Sequence, residues 1–167
     1  MKNLFFLRHA KAEHATGGAD IRRSLTKRGK NDALRMADFL TRLSPGFDRI
    51  FVSTAIRTRE TIEAFLDQNP DLRSGTTYAD LLYQFNASAY RMFIHEELSD
   101  DDNVVLLVGH NNAIEQLVTL LNGEDQNYLR VSTCTLVHFE FDVDSWKDIA
   151  GTTGKLKNYV KARSEKK

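Results

Sequence analysis

Two uninterrupted apolar runs, Leu4-Phe5-Phe6-Leu7 and Val104-Val105-Leu106-Leu107-Val108, restrict what this chain can fold into more than any other feature. A strand with one wet face alternates apolar and polar residues, whereas a run without polar interruption suits a strand covered on both sides, as in a parallel sheet between two helical layers. The intervening segments supply the helices. Thr26 stands as an N-cap before Ala33, Met36, Ala37 and Leu40, which recur at helical spacing until Pro45-Gly46. Ile50-Phe51-Val52 reads as a second strand, with Ser53 placed to cap a helix that turns Ile62, Phe65 and Leu66 inward and ends at Asn69-Pro70. A weak strand from Thr76 to Tyr78 leads through Asp80-Leu81-Leu82-Tyr83 to a helix from Ser88 to Leu98. After the second apolar run, a helix buries Ile114, Leu117, Val118 and Leu121 and stops at Gly123. Thr133 to Phe141 alternates as a later strand, and Lys155 to Val160 as an edge strand. Strands alternating with helices predict a three-layer α/β/α sandwich around a mostly parallel central sheet.

The 167 residues fit one domain, expected over residues 1–160, with a basic tail at 161–167. Lys and Arg together number 23, as do Asp and Glu, so no global field draws the chain to nucleic acid or to a membrane surface. Any anion site must be local. The single cysteine, Cys134, excludes an internal disulfide framework and fits a reducing compartment. Charge arrives at Arg8, too early for a signal peptide, so a cytoplasmic monomer is expected. The run Asp100-Asp101-Asp102 reads as a solvated turn.

Both buried runs end in a histidine, as Arg8-His9 and as Gly109-His110. In a parallel sheet the carboxyl ends of the strands line one crevice, so the order of elements brings Arg8, His9, Ser53, Arg57 and His110 together despite their separation in sequence. Two guanidiniums beside two imidazoles suit a phosphoryl group, which arginine grips in bidentate fashion. A neutral imidazole attacks phosphorus directly, with His9 the nucleophile, and no metal or other cofactor is implied: the chain has no His-Glu-x-x-His and no Gly-x-x-x-x-Gly-Lys. With an imidazole pKa near the ordinary value of about 6.5, activity should fall on acidification through that range. His14, His95 and His138 lack comparable placement, and Lys11 reads as a solvent-facing loop residue.

The stretches Leu7-Arg8-His9-Ala10-Lys11, Leu25-Thr26 with Arg28-Gly29, Ser53 with Arg57-Thr58 and Thr61, and Val108-Gly109-His110-Asn111 resemble the histidine phosphatase superfamily, in particular its small SixA-type phosphohistidine phosphatase branch. Phe139-Glu140-Phe141 through Trp146, and Lys155 to Val160, extend the resemblance to nearly the whole chain. It implies a phosphoglycerate mutase-like fold, with His9 phosphorylated in turnover, Arg8 and Arg57 binding the phosphoryl oxygens, and His110 stabilising transition-state charge. Ser53 joins the phosphate ligands, Asp80 occupies the segment of the general acid, and Asp20 is a second acidic candidate. The connections around Asp80 are too short for a lid. The substrate implied is a phosphohistidine protein, either a histidine-phosphotransfer or a phosphocarrier domain. A phosphomonoesterase for small metabolites and a non-catalytic phosphate-binding module are the alternatives.

Overall fold

A computed structural model describes residues 1–123 and 128–163. The strands are β1 (Lys2–Arg8), β2 (Arg49–Ser53), β3 (Thr76–Ala79), β4 (Val104–Gly109), β5 (Thr135–Phe141) and β6 (Lys155–Lys161). The helices are α1 (Lys27–Leu43), α2 (Ile56–Gln68), α3 (Ala87–Glu97) and α4 (Ala113–Leu121), with short 3-10 turns at Asp20–Arg22, Pro70–Gly75, Asp80–Tyr83 and Trp146–Gly151. One sheet holds all six strands in the order β3-β2-β4-β1-β5-β6. The neighbours from β3 to β1 pair in parallel, whereas β5 pairs antiparallel with both β1 and β6.

Successive side chains of a strand point to opposite faces, and β1 divides its apolar run accordingly. Leu4 and Phe6 enter a core built with α3 and α4, which also takes Trp146; Phe5 and Leu7 enter a second core built with α1 and α2. Both layers depend on the same strand. β5 also departs from a half-wet strand: Val137, Phe139 and Phe141 enter the first core, while Leu136 and His138 on its other face are buried too.

Local chemistry explains most helix starts. The Thr26 hydroxyl accepts from the Gly29 amide at 3.0 Å, closing the first turn of α1 as expected. Gly29 is constrained as well, because a Cβ there would overlap the Lys11 carbonyl oxygen. Ser53, read as the cap of α2, is not one: Ala55 holds that position without a side-chain bond, and the Ser53 hydroxyl turns to His110 instead. Asn86 caps α3. The acidic turn at 100–102 exposes Asp100 and Asp101 and half-buries Asp102, while its backbone carbonyls find partners. The buried Lys2 ammonium donates to the Asp100 and Asp102 carbonyls at 2.5 and 3.0 Å, and the Trp146 indole donates to Asp102 at 2.9 Å. Strand β6 runs through Lys161, the first residue of the expected tail, and Ala162 is buried with its amide bonded to Cys134; residues 164–167 lie outside the described residues. No helix among the described residues is long and apolar enough to cross a membrane.

Candidate active site

Register builds the site. Parallel pairing sets Arg8 opposite Gly109, so His9 and His110 leave adjacent strands side by side, with ring centroids 5.3 Å apart. The His9 amide donates to the Gly109 carbonyl at 3.1 Å, and the Cys134 amide donates to the His9 carbonyl at 3.0 Å. Next along, the Ala10 amide donates to Thr61, whose hydroxyl donates in turn to the Arg57 carbonyl on α2. The backbone around His9 is therefore tied to three elements before its side chain makes any contact.

The side chain is oriented by one bond. His9 Nδ1 lies 2.7 Å from the Ala10 carbonyl, which can only accept, so Nδ1 carries the proton and the lone pair of the neutral ring is on Nε2. Burial is the main force on its ionisation and lowers its pKa to about 3; the Ala10 carbonyl opposes the shift, while the charges of Arg57, Arg8 and Arg23 add to it. The ring is consequently neutral wherever the protein is folded near neutrality.

His110 is only 1% exposed, and burial followed by the neighbouring His9 and Arg57 lowers its pKa to about 2. Its Nε2 is 2.7 Å from the Ser53 hydroxyl, whose oxygen also accepts from the Ala55 amide at 3.4 Å. Because the Ser53 oxygen already accepts from the Ala55 amide, its own hydrogen is assigned to His110 Nε2; that assignment puts the His110 proton on Nδ1, which has no protein partner and could donate to an anion. Ser53 was expected among the phosphate ligands; it is completely buried and engaged with His110. The His110 amide is held by the Tyr90 hydroxyl at 3.0 Å, which itself donates to the Leu82 carbonyl. Glycine is required before it, since a Cβ on residue 109 would overlap that hydroxyl.

The two arginines are fixed from behind. Arg57, 1% exposed, donates through Nη1 to the Asp20 carbonyl at 2.9 Å and through Nη2 to the Asp20 carboxylate at 3.0 Å. That carboxylate also accepts from Tyr83 at 2.6 Å and from Arg23 at 2.9 Å. Burial would raise its pKa, but these hydrogen bonds more than offset it and hold Asp20 at about 2. An ionised, fully engaged carboxylate is a clamp for Arg57, not a proton donor. Arg8 donates through Nη1 to the Val131 carbonyl at 2.9 Å, and Glu115 accepts from the Val131 amide at 2.6 Å and from Asn111 at 3.3 Å. Both arginines keep a buried Nε without a protein partner.

The structure thus brings Arg8, His9, Ser53, Arg57 and His110 together. Asp80 heads the 3-10 turn that carries Tyr83, directly after Ala79, which pairs with Ser53; it is exposed, and no hydrogen bond or ion pair joins it to the cluster. Sequence reasoning missed Tyr83, Glu115 and Tyr90, whose roles rest on contacts between distant segments and leave no local pattern. His138, read as non-catalytic, stacks on Phe5 at 3.8 Å and bonds to Asn3 and Asn158. The described residues contain no group of three or more His, Cys, Asp or Glu placed to hold a metal ion.

Buried neutral histidines give two pH effects of different kinds. For activity, the acid limit belongs to His9 at about 3 instead of the ordinary imidazole range. With the substrate's own ionisation corrected, kcat/KM is expected to hold from neutrality to about pH 4; an acid limb near the unperturbed value of about 6.5 would show that His9 is solvated. For stability the sign is the reverse of a salt bridge to histidine. Folded His9, His110 and His138 titrate at about 3, 2 and 4, so below the unfolded value of about 6.5 the unfolded chain binds more protons. Their contribution is complete above that value and is lost progressively as the pH falls toward the folded values, which thermal melts across the interval will register.

Comparison with known proteins agrees with this geometry. The profile of the histidine phosphatase superfamily (branch 1) matches residues 4–81. An uncharacterized protein of Mycobacterium tuberculosis is 32% identical over 117 residues, which are 69% of each chain. Among solved structures, a SixA-type protein of Agrobacterium tumefaciens superposes with a TM-score of 0.78 at 25% identity, covering 95% of this chain and 97% of its own. The protein histidine phosphatase SixA complexed with tungstate gives 0.79 at 18% identity, covering 98% and 99%.

Proposed function

This chain belongs to the histidine phosphatase superfamily, and on that footing we propose that it removes phosphate from phosphorylated histidine on a signalling or phosphocarrier protein, by way of a phosphohistidine on His9. Its reaction class, phosphoryl hydrolysis, follows from the family. The observation that carries the mechanism is the Nδ1 bond of His9 to the Ala10 carbonyl, which leaves Nε2 as a neutral nucleophile among Arg8, Arg57 and His110. Nε2 attacks phosphorus, and the electron pair of the breaking P–N bond returns to the substrate's imidazole. The ring of His9 then carries phosphate on Nε2 and still donates from Nδ1 to Ala10, which steadies its added positive charge. Water attacks next; its oxygen becomes part of orthophosphate and the pair returns to Nε2. Arg8 and Arg57 neutralise the charge spread over the equatorial oxygens in both steps. A structural neighbour of the same fold was solved in complex with tungstate, an oxyanion shaped like phosphate, which supports an oxyanion as ligand.

What protonates the leaving group supports this reading of the substrate class. An alkoxide needs a nearby acid, but Asp20 is ionised and clamped while Asp80 is exposed and unattached to the cluster. Imidazole leaves as a stable neutral base, so a site without an engaged acid suits phosphohistidine better than a phosphate ester. The test is rapid turnover of a histidine-phosphorylated protein carrying labelled phosphate, quenched in alkali. A label on this chain that survives base and is lost in acid is expected in the wild type. Asp80→Asn is expected to keep phosphohistidine turnover within about twofold of wild type, outside the range of about a hundredfold typical of lost acid catalysis. Absence of label would refute the covalent route, and faster hydrolysis of p-nitrophenyl phosphate and sugar phosphates than of phosphohistidine would favour a phosphomonoesterase.

A further inference from the structure

The segment after β3 lays two aromatic rings against the site. Tyr83 is placed edge-on to His110 with centroids 5.5 Å apart, beneath the Arg57 guanidinium at 5.9 Å, and its hydroxyl is spent on Asp20. Phe85 follows, 5.4 Å from Tyr83 and 5.3 Å from His110, yet 45% exposed. Single exposed apolar residues are ordinary on protein surfaces and need no explanation. This one differs because its inner edge touches a ring of the phosphoryl cluster. It is also held in place: the Gln84 amide before it donates to Leu81 at 3.4 Å, and Asn86 after it caps α3 by accepting from the Ala89 amide at 2.9 Å.

The charge layout gives this ring a task. A phosphohistidine side chain is polarised, with a dianionic phosphoryl end and an imidazole whose other nitrogen takes up a proton. Arg8 and Arg57 attract the first and repel the second. The protonated ring is best accommodated where the site offers an aromatic face, because the quadrupole of the ring attracts a cation that the guanidiniums exclude. We propose that Phe85 is a specificity-determining residue that stacks on the imidazole of the phosphohistidine substrate while the phosphoryl group enters between Arg8, Arg57 and His9. The inference rests on the phosphohistidine reading of the site and adds how the ring of that substrate is recognised.

The experiment compares phosphohistidine with phosphoramidate, which has the same P–N bond and no ring, on wild type, Phe85→Ala, Phe85→Leu and Phe85→Tyr. Alanine and leucine are expected to lower kcat/KM for phosphohistidine about fivefold, mainly through KM, and tyrosine to restore it, with phosphoramidate unchanged throughout. Equal losses on both substrates would overturn the proposal, because they would mean that Phe85 only supports His110. Full activity of Phe85→Leu on phosphohistidine would overturn it as well, since apolar bulk would then suffice. Should the wild type leave phosphohistidine untouched, the functional reading itself fails; a ring contact is then supported by a loss confined to p-nitrophenyl phosphate and overturned by an equal loss on methyl phosphate.

Discussion

His9→Ala is expected to lower turnover on the order of 10⁴-fold or more with every phosphorylated substrate and to leave no covalent label. The size follows from the division of labour in the site. In the proposed mechanism Arg8, Arg57 and His110 bind and neutralise the phosphoryl group, but only Nε2 of His9 has a lone pair directed by a bond on the opposite side of its own ring. Without it, hydrolysis must proceed by direct attack of water, aided by the remaining charges alone. The fold should tolerate the change, because the ties that hold residue 9 run through its backbone to Gly109 and Cys134 and through Ala10 to Thr61. Circular dichroism and equilibrium binding of tungstate measured beside activity check this. A His9→Ala protein with activity within tenfold of wild type would refute the covalent route.

Arg57→Ala is expected to lower kcat/KM by about a hundredfold to a thousandfold, the range for loss of a preorganised charge donor. Lysine should recover only part of this. Arg57 reaches Asp20 twice, at the carbonyl and at the carboxylate, from one planar fork while a buried Nε remains without a protein partner. An ammonium is a point donor and cannot hold both contacts in that geometry. Asp20→Asn separates clamping from charge: the backbone contact to Arg57 survives it, so the loss should be smaller than for Arg57→Ala and should appear alongside a weakened hold on Tyr83. Steady-state kinetics with competitive inhibition by inorganic phosphate, run on the three variants, decide the order. A neutral Arg57→Ala would place the phosphoryl group elsewhere.

Much of this was legible in the chain before folding. The unbroken runs of β1 and β4 require cover on both faces, and that requirement implies parallel strands with their carboxyl ends on one side; His9, His110 and Arg57 then had to meet. Thr26 and the buried stripe of α1 are equally local, since a cap and a 3.6-residue period are written within one turn or a few. The misplaced cap has a tertiary cause. Ser53 has the side chain of a helix cap, but parallel pairing of β2 with β4 sets it beside His110, where a buried ring nitrogen needs a partner more than the start of α2 does. The 3-10 turn headed by Asp80 leaves that carboxylate exposed and directs Tyr83 to the site, an arrangement that no local pattern in the chain announces.

The acid limit of activity shows the same division. Sequence alone assigns a histidine its ordinary range near 6.5, because ionisation in an open chain depends on the group itself. Burial of His9 beside Arg57 and Arg8 lowers it to about 3, and no motif encodes that number. By itself, then, the sequence determined the layers, the parallel run of β1 to β4 and the cast of the candidate site, since periodicity and chain order are local properties that the backbone must obey; the antiparallel setting of β5 and β6 was not among them. The tertiary structure alone decided which nitrogen of His9 is free, that Asp20 clamps Arg57, and that the exposed ring of Phe85 packs beside His110. Those depend on hydrogen bonds and desolvation among groups that only packing brings within a few ångströms.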